Sequence, residues 1–89
     1  MSSADDLPLL EALLDAFDRL FDRQATVVDV HALLFATARA LADSALVKDM
    51  AAAESAVEEI MRTGRGSAEA VEQALDAVDP LRRRIADRL

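Results

Sequence analysis

Eighty-nine residues bound the protein to one small domain, and a formal net charge of −7 argues against nucleic acid as a partner, because a polyanion is repelled by such a surface. With no Cys there is no disulfide and no thiolate metal site. The hydrophobic fraction of 53% rests on Ala and Leu, since Phe supplies all three aromatic residues. A chain of this size buries roughly 60–65% of its unfolded surface, enough for one layer of core between packed helices and too little for a deep pocket.

Residues 1–5 read as a loose end. They contain no basic region, so no secretory signal is expected and the cytoplasm is the expected compartment. Asp6 is a candidate N-cap, with Pro8 in the first turn, where its missing N–H has no partner to lose. Leu10, Leu13, Leu14, Phe17, Leu20 and Phe21 then step by three and four, which places them on one face of a helix running to about Arg23. The opposite face carries Glu11, Asp15, Asp18 and Asp22 at the same spacing.

Gln24-Ala25 is a short connection. Thr26-Val27-Val28-Asp29 has capping-box spacing, although Asp reaches back less well than Glu, and it opens a second helix at about 27–42. Val27, Val30, Leu33, Leu34, Phe35, Ala38 and Leu41 occupy most of its circumference. A helix wet on one side does not require this, so the second helix is expected to lie centrally in the bundle or beneath another chain. Asp29, His31, Thr37 and Arg39 make the stretch too polar and too short to span a bilayer, so no membrane partner is expected. Asp43-Ser44 supplies the next cap signal. It departs from the Asp-Ser-Leu attachment site of carrier proteins because Ala45 follows and no Gly precedes.

The third helix, about 45–62, turns Leu46, Met50, Ala53, Val57, Ile60 and Met61 inward and Lys48, Asp49, Glu54, Glu58 and Glu59 outward. Thr63-Gly64-Arg65-Gly66-Ser67 is the strongest break, with Gly64 able to close one helix and Ser67 to cap the next. It lacks the Lys and the spacing of a phosphate loop. From Ala68 a fourth helix carries Val71, Ala74, Leu75, Val78, Leu81, Ile85 and Leu89 on one seam, and Glu69, Glu72, Asp76 and Asp79 on an acidic stripe. Pro80 cannot donate to the carbonyl of Asp76, which predicts a kink or a split there. Arg82, Arg83, Arg84 and Arg88 complement the dipole at the helix C-terminus.

The expected fold is therefore all-α: an antiparallel bundle of four helices in a single domain, residues 1–89. No active site assembles. There is no thiol nucleophile, the serines share one histidine as a possible base, and His31 reads as a surface or boundary residue outside any Glu-x-x-His motif. The acidic stripes read most simply as solvated faces, without the oxygen-rich loop calcium needs. No catalytic, cofactor or metal residue is expected, and the chain reads as a binding protein and not an enzyme.

The acidic chain with its Leu/Phe-rich first helix, its Thr26-Val27-Val28-Asp29-Val30 start to the second helix and its closing Asp79-Pro80-Leu81-Arg82-Arg83-Arg84-Ile85 resembles small helical immunity proteins of bacterial toxin systems, of the colicin-D-like and contact-dependent-inhibition kinds. The resemblance lies in the plan of the chain. With no Tyr, the chain departs from the nuclease-colicin immunity proteins, which present a Tyr-Tyr pair, and no binding residue carries over. What the resemblance implies is an inhibitor that binds and neutralises a cognate toxin, often a basic nuclease. The residues expected to meet a basic protein are Glu11, Asp15, Asp18 and Asp22, or Glu69, Glu72, Asp76 and Asp79. A self-associating homodimer built on the second helix is the alternative.

Overall fold

The structure is a computed structural model that describes residues 7–41, 45–64 and 68–88. These form four helices: α1 (Leu7–Phe21), α2 (Val27–Ala40), α3 (Val47–Gly64) and α4 (Ala68–Arg88). Each packs on the next in the chain, α4 closes back on α1, and α2 and α4 touch across the diagonal. Short connections make sequential helices antiparallel neighbours. The ion pair from Arg84, near the end of α4, to Asp49, near the start of α3, shows the reversal directly, at 3.5 Å. The domain measures 40 × 22 × 18 Å.

One contiguous core joins all four helices. Leu10, Leu13, Phe17 and Leu20 enter from α1, and Val27, Val30 and Leu34 from α2. Met50, Ala53 and Val57 enter from α3, and Ala74, Val78, Leu81 and Ile85 from α4. Burying each large apolar side chain contributes about 1.5–3 kcal/mol. The expected stripes are narrower in the structure. Leu14, Leu33, Ala38, Ile60, Met61, Val71 and Leu75 flank the core and are only partly buried, and Ala70, not Val71, is the fully buried residue at the start of the α4 seam.

Two apolar residues expected inside lie outside. Phe21 is 68% exposed at the end of α1, and Phe35 is 45% exposed on α2, where Arg39 stacks over its ring at 4.9 Å. With Val28 also exposed, α2 is not the enclosed central helix that its composition suggested. Its apolar circumference outruns what its three neighbours cover.

The junction of α1 and α2 explains both boundaries. α1 ends two residues earlier than expected, in a Schellman turn: the N–H of Arg23 donates to the Leu20 carbonyl at 3.1 Å and that of Gln24 to the Arg19 carbonyl at 2.7 Å. Arg23 takes the left-handed position usually given to Gly, with φ 64°. Its guanidinium donates to the Phe21 carbonyl at 3.1 Å, covering an acceptor the helix end leaves open. The capping box that follows is complete. The N–H of Asp29 donates to Thr26 Oγ1 at 3.1 Å and the N–H of Thr26 to Asp29 Oδ2 at 3.0 Å, so the shorter Asp closes the box as Glu would.

Pro80 does not split the last helix; α4 runs unbroken through it. Pro80 leaves the carbonyl of Asp76, an exposed residue, without its usual N–H donor. On the inner side Val78, Leu81 and Ile85 hold the helix to the core across that point. The caps expected at Asp6, Asp43-Ser44 and Ser67, and the seam residue Leu89, lie outside the described residues. Gly64 is the last residue of α3.

Candidate functional site

Members of the two acidic stripes come together where α1 and α4 meet. Between them runs a groove of about 530 Å³. Phe17 and Val78 form its apolar floor, with half-buried Leu75 beside them, and Phe21 stands at its lip. Around this floor the structure gathers Asp18 from α1 with Glu72, Asp76 and Asp79 from α4, and one cation, Arg82. Four carboxylates against one guanidinium leave the groove with three net negative charges.

The carboxylates are not equivalent. Asp79 accepts from Arg82 at 2.7 Å and pairs with Arg83 at 2.9 Å. The hydrogen bond from Arg82, aided by the charge of Arg83, holds its carboxyl below the usual carboxylate range. Asp18, Glu72 and Asp76 make no ion pair among the described residues, so their charge is available to an incoming cation.

The groove draws on both of the alternative acidic stripes, one residue from α1 and three from α4. Asp18, Glu72, Asp76 and Asp79 line the groove, whereas Glu11, Asp15, Asp22 and Glu69 lie exposed outside it. Asp15 is instead paired with Arg19 at 3.0 Å. Spacing along each helix placed the stripes correctly, but only the α1–α4 contact decides which members of one face those of the other.

A second group was not visible in the sequence. His31 of α2 is a boundary residue, as expected, but its Nε2 lies 3.2 Å from Glu54 Oε2 of α3, and Glu58 is one turn further along. Single-helix motifs could not find this group, because its members come from two helices.

No helix among the described residues is long and apolar enough to cross a membrane. The fold is a small all-α bundle, and the contact of α1 with α4 leaves an acidic, apolar-floored groove on it. No protein-family model, curated protein or solved structure matches the chain.

Proposed function

We propose that the protein is a binding module whose α1–α4 groove receives a basic, apolar-tipped segment of a partner protein, and that in its most concrete form it is a cytoplasmic immunity-type inhibitor neutralising a cognate bacterial toxin. The observation that carries the reading is the convergence of Asp18, Glu72 and Asp76, without ion-pair partners among the described residues, around an apolar floor with Phe21 exposed at its edge. An apolar anchor supplies most of the affinity at such a surface, while the carboxylates speed encounter and select against acidic partners. The narrower inhibitor reading rests on the resemblance in the plan of the chain.

The test is native mass spectrometry of the tagged protein purified at low salt, run beside two charge-reversal pairs. A one-to-one complex with a basic protein, released by salt, is expected from the wild type and from Glu11→Lys/Glu69→Lys. It is expected to be lost in Asp18→Lys/Asp76→Lys. Equal capture by both pairs overturns the groove reading. For the inhibitor form, co-expression must relieve the toxicity of the captured protein, and a captured protein that is harmless when expressed alone overturns that form.

The exposed Val28 and Phe35 on α2 favour a second reading, a homodimer joined through that apolar face. Sedimentation equilibrium distinguishes it: a dimer abolished by Phe35→Glu supports self-association, and a monomer across the concentration range removes it.

A further inference from the structure

We propose that His31, Glu54 and Glu58 form a divalent-metal site that clamps α2 to α3, with Zn²⁺ the ion their donor set fits. Glu54 and Glu58 are one helical turn apart, so both carboxylates leave α3 on the same side, toward the α2 residue His31. One donor atom from each residue lies within 4.8 Å of the others. A tetrahedral zinc with bonds of about 2.0–2.2 Å needs donors about 3.3–3.6 Å apart, so a small rotation of the exposed Glu58 side chain closes the triangle.

The imidazole nitrogen adds to this geometry. Among the described residues Nε2 is buried and makes no hydrogen bond, and its one polar contact is at ion-pair distance, 3.2 Å from Glu54 Oε2. The two atoms are close but not aligned for a hydrogen bond. A buried nitrogen left in this way is costly, and a metal ion set between nitrogen and carboxylates satisfies all of them together. His31 and Glu54 side chains are 20% and 23% exposed, so the site is shielded yet open to an ion from the Glu58 side.

The chemistry selects the ion. One imidazole and two carboxylates, with a water in the fourth position, match zinc's mixed N/O preference. Ca²⁺ needs six or more oxygens, and Mg²⁺ holds several of its waters. Because the ligands come from two helices, an ion bound only by the folded state stabilises the bundle.

The experiment is calorimetric titration of the tag-free, chelator-stripped protein with Zn²⁺, together with thermal melts at saturating Zn²⁺, Ca²⁺ and Mg²⁺. One Zn²⁺ per chain and a raised Tm with Zn²⁺ alone are expected. Even outer-shell partners of a metal are worth about 10–100-fold in affinity, so His31→Gln and Glu58→Gln should each weaken binding by at least about tenfold. Glu59→Gln, a neighbour on α3 whose carboxylate is engaged by Arg62 at 2.8 Å, should leave the affinity unchanged. Glu58 is exposed, so its variant keeps the fold and carries the test even if His31→Gln disturbs packing. Absence of binding overturns the proposal. So does uptake of several ions that is insensitive to Glu58→Gln, the mark of diffuse attraction to an acidic surface.

Discussion

Phe17 and Phe21 are one turn apart on the same face of α1, yet Phe17 is 1% exposed and Phe21 68%. α4 covers the first ring and leaves the second standing at the lip of the groove. The pair separates stability from recognition. Phe17→Ala should cost about 3–5 kcal/mol, a large share of the about 5–15 kcal/mol available to a small domain. Phe21→Ala should stay within about 0.5 kcal/mol of wild type while weakening partner binding. Denaturant melts of both variants check the stability arm, and binding to the captured partner checks the other. A Phe21 variant that unfolds as easily as the Phe17 variant would place Phe21 in the core.

Arg23 holds a left-handed backbone with φ 64° at the end of α1. A side chain costs about 1–2 kcal/mol in that conformation, and glycine adopts it freely. Replacing it removes the guanidinium bond to the Phe21 carbonyl and increases the freedom of the unfolded chain, which offsets part of the gain. Arg23→Gly should therefore stabilise by about 0.5–1 kcal/mol, raising Tm by a few degrees in differential scanning calorimetry. A lower Tm would mean that the arginine cap outweighs the backbone strain.

The capping box sets an acid limit on α2. The backbone hydrogen bond from Thr26, followed by that from its side chain, lowers the pKa of Asp29. A group with a depressed folded pKa stabilises the fold above its unfolded pKa, and that contribution is lost as pH falls through the folded value. Asp79, held low chiefly by Arg82, acts in the same direction. Stability should thus be level near neutrality and decline below the ordinary Asp value of about 3.9, with a shallower decline in Asp29→Asn. Thr26→Ala should cost about 1 kcal/mol at neutral pH. Urea midpoints across an acid series check both. An Asp29→Asn profile parallel to wild type would remove the box from the account.

Leu34 and Leu75 share the composition of a core residue but differ in position. Leu34 is 0% exposed within the bundle, and Leu75 lines the groove half-buried. Leu34→Asp places a carboxylate where nothing solvates it and should abolish cooperative thermal unfolding. Leu75→Asp can turn its charge toward the open groove and should keep a cooperative transition at reduced Tm. Circular dichroism melts distinguish them, and a normal melt for Leu34→Asp would invalidate the core.

Helix number, the capping box at Thr26, the main core positions and the acidic stripes were all legible in the chain, because each depends on residues three or four apart and the 3.6-residue turn converts that spacing directly into a shared face. Other features depend on where one helix passes another. The burial of Phe17 against the exposure of Phe21, the selection of Asp18, Glu72, Asp76 and Asp79 from two longer stripes, and the meeting of His31 with Glu54 and Glu58 are of this kind. The left-handed turn at Arg23 was hidden because arginine, unlike glycine, carries no local signal for it. Periodicity states which side of a helix is apolar; only packing decides how much of that side is covered, and by what.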